Sequence, residues 1–170
     1  MQASDVLTEC FERIQGLVHG VVSGLDDAAQ LWRPDRQANP IAWLVWHLTR
    51  IQDDHLAGIT GDQQVWEAGA WAPRFGLPAG AMDLGFGHTA QQVGAVQPEA
   101  PSVLTEYHDQ VAERTQQYLT GIEARELDRV VDRSWDPPVT AGVRLVSVVG
   151  DCLQHLGQAA YVRGMWERRS

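Results

Sequence analysis

Between Ala141 and Val162 the chain carries only two charged side chains, Arg144 and Asp151. A helix lying on a protein surface shows water a polar, charged face. A helix over this run must therefore place most of its circumference in a cavity, against other helices or across a subunit contact. The run follows Pro137-Pro138, can be capped by Thr140 and continues to about Trp166.

Three other segments supply partners of similar length. Ser4 and Asp5 can cap a first helix to about Gly24, with Val6, Leu7, Cys10, Ile14, Leu17, Val18 and Val21 spaced for one buried face. A turn-rich connector, Trp32 to Asn39, leads to Asn39-Pro40, an Asn cap followed by proline at the first helical position. The second helix then runs to about Ile59 and stops at Gly61. A third begins near Pro101 and carries Val103, Leu104, Tyr107, Val111 and Tyr118. Residues 60 to 100 are rich in Gly, Pro, Trp and Phe and show no helical period. They predict a functional lid or a stretch holding short helices. Val130 to Val139 reads as an extended segment or hairpin arm, with Trp135-Asp136-Pro137-Pro138 as a rigid turn. The expectation is an all-α fold, an antiparallel four-helix bundle with a long insertion between helices 2 and 3, forming one domain over residues 1–170.

Thirteen basic residues, all arginine, stand against 22 acidic ones, for a formal charge of −9. That balance argues against a nucleic-acid or anionic-membrane partner, which needs a basic patch. Without lysine there is no Schiff-base chemistry and no lysine base. Cys10 and Cys152 are too few for a disulfide framework, which favours a reducing cytoplasm. Met1 to Glu12 lacks the pattern of a signal peptide, and no apolar run reaches the roughly 18–20 residues of a membrane span.

Asp151 and His155 lie one helical turn apart and share a stripe with Arg144, Ser147, Gln158 and Val162. A buried carboxylate needs a counter-charge. A protonated His155, Arg144 or a divalent metal can supply it. The second helix offers His47, on a face with Trp43, Leu44, Ile51, Asp54 and Gly58. Alone, such a histidine is more often a hydrogen-bonded core residue. Facing Asp151 and His155, it completes two nitrogens and one oxygen, a set suited to zinc, nickel or iron(II) with positions left open.

Gln158 can hydrogen-bond a metal ligand or a bound water, or serve as a helix-packing amide. Asp54 lies seven residues beyond His47, about 10 Å along the axis, so it lines a pocket or pairs with an arginine. Asp53 and His55 point elsewhere, toward solvent. Trp43, Trp46, Trp66, Trp71, Phe75 and Phe86 either wall an aromatic pocket or anchor the core. His88 is a candidate fourth ligand or general base, against the commoner surface loop histidine. Cys152, rotated 100° from Asp151, reads as a packing residue. Arg163 can meet an anionic substrate or a dimer partner.

The stretch Asn39-Pro-Ile-Ala-Trp-Leu-Val-Trp-His47-Leu, together with Asp151-x-x-x-His155-x-Gly-Gln158, resembles the DinB/YfiT-like superfamily, closest to an actinobacterial branch of unknown function. The resemblance spans nearly the whole chain. It implies a four-helix bundle, often a homodimer, whose divalent metal is held by His47, Asp151 and His155. The commoner family pattern has histidine where this chain has Asp151. The mycothiol-dependent maleylpyruvate isomerase branch likewise has an acidic residue there. Several relatives are thiol S-transferases or thiol-dependent isomerases that use mycothiol or bacillithiol. The resemblance therefore implies one divalent metal, zinc foremost, and a small-molecule substrate with a low-molecular-weight thiol. The same site with an activated water would be a hydrolase, and without turnover a small-molecule or metal-binding bundle. A third alternative is a dimeric scaffold in which Asp151 and His155 form an ion pair. Fold analogy alone does not choose among these.

Overall fold

In the computed structural model, which describes residues 2–169, the first helix, α1, spans Ala3–Val22. It starts earlier than Ser4 or Asp5 would allow as caps. Asp5 sits one turn inside, and its carboxylate accepts the Gln2 amide at 2.8 Å. A short α2, Asp27–Leu31, is capped by Asp26, whose carboxylate accepts from Ala29 N–H at 2.7 Å. The helix α3, Ile41–Thr60, begins one residue later than expected, with extended Pro40 rather than Asn39 at its cap, and stops at Gly61, where φ is +81°. The insertion holds α4 (Val65–Ala68), a 3-10 turn (Ala72–Phe75) and α5 (Ala90–Ala95). Then come α6, Pro101–Leu119, and a short α7, Ala124–Leu127. Two strands, β1 (Val130–Asp132) and β2 (Val139–Thr140), form a hairpin, the second of the two readings of that stretch, with Val130 opposite Thr140. It delivers the chain to α8, Ala141–Arg168, where Thr140 Oγ1 accepts the Val143 N–H at 3.3 Å.

The fold is all-α apart from that hairpin. The helix α1 packs on α6 and α8, and α3 packs on the same two. Cross-helix pairs give the directions. Leu48 meets Cys152 while Asp54 shares a cleft with Arg144, so α3 and α8 are antiparallel. Gln15 meets Asp109 while Val22 lies near Ser102, so α1 and α6 are antiparallel too. By contrast, Thr49 meets His108 and Gln52 meets Thr115, so α3 and α6 run the same way. Antiparallel pairing thus holds for two of the contacts. The long insertion lets the chain return across the molecule before α6 begins.

The insertion is tied down by charges inside the protein. Arg50 and Asp53, one turn apart on α3, are 0% and 2% exposed and lie 3.5 Å apart. Asp53 accepts the backbone amides of Val65 and Trp66 at 2.9 and 2.8 Å and the Tyr107 hydroxyl at 2.8 Å. Arg50 donates to Gln64 and to the Met82 and Asp83 carbonyls and lies over the Trp66 ring. The expectation that Asp53 faces solvent is therefore wrong, because α3 is covered on every side along most of its length. His55, expected beside it in solvent, is half-buried. Trp46, Trp66, Trp71 and Phe75 are buried, the last three packed tilted or edge-on around Tyr107 at centroid distances of 5.2 to 5.9 Å, and so act as core anchors. Among the described residues no helix is long and apolar enough to cross a membrane.

Candidate metal centre

The antiparallel register of α3 and α8 sets His47 against Asp151 and His155. One ligand-type atom from each of the three lies within 4.8 Å of the others. His47 is 3% exposed, whereas Asp151 and His155 are half-buried, so the cluster opens on one side.

Each histidine is oriented by a second contact. His47 Nδ1–H donates to the Leu84 carbonyl, which leaves Nε2 as the nitrogen with a free lone pair. His155 Nδ1–H donates to Gln158 Oε1 at 3.1 Å, and its Nε2 lies 3.6 Å from Asp151 Oδ1. Burial, reinforced by the neighbouring His155, pushes the His47 pKa below the ordinary imidazole value. The neutral ring is the form that ligates metals. On the carboxylate, Asp151 Oδ2 is buried and has no hydrogen-bond partner among the described residues. Such an orphan acceptor is costly, and a cation held between it and two imidazole nitrogens would satisfy it. The donor set and the orphaned oxygen both fit a divalent metal.

Two aromatic rings flank His47. Trp43 lies flat on His47, and Phe86 meets it edge-on at 5.4 Å. The segment that brings Leu84 and Phe86 here is held by Asp83, whose carboxylate accepts Gly85 N–H at 2.8 Å and pairs with His88 Nε2 at 2.9 Å. Gly85 has φ +97°, and a Cβ there would stand 2.9 Å from Trp43 and 3.0 Å from His47. Only glycine lets the backbone pass so close. Sequence reasoning missed Asp83, Leu84 and Gly85. Their only trace was the Asp-x-Gly-x-Gly spacing of a turn.

Gln158 sits where the helical stripe put it, on His155, and Trp43 on His47. Asp54 is remote from the cluster. It accepts from Gln64 at 2.8 Å and lines a cleft of about 200 Å³ with His55, Asp132 and Arg144. Its carboxyl is held below the usual range, first by the His55 hydrogen bond. Arg144 pairs with Asp132 at 2.7 Å and so is not the counter-charge of Asp151. His88 has both ring nitrogens engaged, Nδ1 by the Trp43 indole N–H and Nε2 by Asp83, which leaves none for a metal. Arg163 is occupied by Glu167 and by the Gly20 and Val21 carbonyls. Cys152 is buried, its thiol pKa raised by that burial, consistent with a packing role. Of the six aromatics, Phe86 is the one exposed at the rim.

The chain matches the family model described as mycothiol-S-transferase over residues 6–167. It is similar to a solved structure described as the conserved protein of locus from Enterococcus faecalis, with 28% identity over 96% of each chain and a TM-score of 0.86. No curated protein matches it.

Proposed function

Because the chain belongs to the mycothiol-S-transferase family, we propose that it is a metal-dependent thiol S-transferase acting on a small molecule, with His47, Asp151 and His155 holding one divalent ion. The buried Asp151 Oδ2 without a partner, beside two imidazoles each oriented by a second contact, is the observation that supports this most. Two nitrogens, one carboxylate oxygen and an open side suit zinc first, then nickel or iron(II). A divalent ion bound there would stabilise the thiolate form of a thiol that reaches it at neutral pH.

The chain's own residues prepare that encounter. The Leu84 carbonyl and Gln158 hold the two rings in their ligating tautomers. Trp43 and Phe86 cover the His47 ring, and the exposed face of Phe86 at the rim is available to an electrophilic cosubstrate. In the transfer the thiol loses its proton to solvent, its sulfur bonds to the electrophilic carbon, and the leaving group departs with the bonding pair. A thiol of the mycothiol type is the proposed cosubstrate. A cytoplasmic setting belongs to the same reading, since a free thiol persists in a reducing compartment.

The deciding experiment pairs elemental analysis of tag-free protein with turnover of mycothiol and a bimane halide. About one metal per chain, lost together with turnover in His155→Ala, supports the reading. Protein that stays metal-free after anaerobic incubation with zinc, nickel and iron(II) sinks it and leaves Asp151 and His155 as an ion pair. Loaded protein that hydrolyses esters but does not conjugate the thiol moves the site to the hydrolases.

A further inference from the structure

Asp54 lies seven residues beyond His47 on α3, and Arg144 lies seven residues before Asp151 on α8. Because the two helices are antiparallel, both steps run the same way, each about 10 Å along the axis. The α3–α8 seam that carries the candidate metal centre therefore carries a second cluster at that distance. Asp54, His55 and Arg144 line it together with Asp132 from the hairpin, around a cleft of about 200 Å³. The turn between the two clusters carries Ile51 and Ser147, both uncharged.

The cleft is polar and partly sheltered. Its four polar side chains are between 22% and 33% exposed, so a ligand can reach them where water competes less than on an open surface. Of the Arg144 guanidinium, only Nη2 has a partner among the described residues, Asp132 at 2.7 Å. That leaves Nε and Nη1 as free donors. The Asp54 carboxyl, held down first by His55, is ionised at neutral pH, and it has more acceptor sites than Gln64 and His55 fill. Gly58, four residues past Asp54, also lines the cleft, and a Cβ there would meet nothing within 4 Å.

Donors and acceptors side by side select the ligand. Two carboxylates against one guanidinium leave an excess of negative charge, which repels an anion, while Arg144 disfavours a simple cation. An apolar group would leave charged side chains without partners. Neighbouring hydroxyls satisfy both kinds of group, donating to a carboxylate and accepting from the guanidinium. The volume is below the roughly 300–1,000 Å³ of a pocket for a whole drug-sized ligand, so it suits one ring of a larger molecule. We propose that the cleft receives a hydroxyl-bearing ring of the thiol cosubstrate while the sulfur lies at the candidate metal centre, about 10 Å away. The direction of the ligand rests on the thiol reading of that centre; the chemistry of the cleft does not.

Two fluorescent probes test it: the bimane conjugate of mycothiol, which carries hydroxyl-bearing rings, and that of cysteine, which carries none. Neither conjugate has a free thiol, so their binding to the full chain, read by fluorescence anisotropy, needs no turnover. Wild-type protein should bind the mycothiol conjugate at least about 10-fold more tightly, the lower end for hydrogen bonds to charged groups. Asp54→Asn and, separately, Gly58→Leu should each remove most of that advantage, leave the cysteine conjugate unaffected and keep the metal content. Gly58→Leu is the sharper probe, because it fills the open cleft and replaces a poor helix former with a good one. Equal affinity of the two conjugates for the wild type would overturn the proposal. So would an advantage that survives in both variants. Loaded protein that shows the advantage, loses it in the variants and yet transfers no thiol keeps the cleft as a ring site and sinks the proposed function alone.

Discussion

Trp43 lies face to face on His47, ring centroids 4.7 Å apart and planes 11° apart. The tryptophan is itself pinned, since its indole N–H donates to His88 at 3.1 Å and His88 is held by Asp83. The orientation of one proposed ligand thus depends on a chain of contacts that ends in the insertion.

Contacts of this kind should show in metal affinity. Gln158 touches His155 directly, so Gln158→Leu is expected to weaken zinc binding about 10–100-fold, the usual cost of losing a ligand's hydrogen-bond partner. His88→Ala acts one contact further out and should weaken it less. Competition with a chromophoric chelator measures both. Equal losses, or none in Gln158→Leu, would contradict the geometry described for His155.

His47→Ala should remove most of the metal from purified protein, with helix content unchanged by circular dichroism. Full metal retention would mean that α3 contributes no ligand.

Asp53 makes its contacts where water cannot replace them. Asp53→Ala leaves Arg50 buried without its carboxylate, which should cost about 3–5 kcal/mol. Urea unfolding reads this as a lower midpoint. A loss below about 1 kcal/mol, the scale of an exposed pair, would show that the network is not buried in solution.

Acid should destabilise the protein through His108. Burial lowers its pKa to about 4, while the unfolded chain titrates near 6.5. Below that value the unfolded state binds the proton that the folded state refuses. The stability from this group is therefore complete above about pH 6.5 and is lost as pH falls toward 4, by about 3 kcal/mol in all. Urea unfolding at pH 7 and pH 4.5 should show a larger difference in the wild type than in His108→Gln. Equal pH dependence would remove His108 from the explanation.

Gly85→Ala should lower the thermal midpoint, because alanine would hold a positive φ and press on Trp43 and His47. A cost of about 1–3 kcal/mol is the usual scale for such strain. An unchanged midpoint would mean that the segment stands further from α3 than described.

Sequence periodicity foretold the four long helices, and helical spacing put Asp151 and His155 on one face of α8, whereas His47 joined them only through the bundle architecture and the family resemblance. What it could not reach has physical causes. On α3 nearly every side is covered, so a charge such as Asp53 no longer marks the solvent face. Arg144 shares a stripe with Asp151, yet its partner, Asp132, comes from the hairpin, which helix geometry does not place. The segment from Asp83 to His88 has no period at all. Its position is set by donors on α3, namely Arg50 and His47. The shared direction of α3 and α6 was equally hidden, since a connection of that length permits either sense.

The crossing insertion has a consequence for assembly. The carbonyl that orients His47 comes from Leu84, 37 residues further along the chain, and Asp151 and His155 come from the last helix. Helices can form locally and early, whereas closing long loops is slow. The oriented cluster therefore rests on contacts distant in sequence, and the rate of metal uptake by refolding protein should follow long-range docking rather than the formation of any one helix.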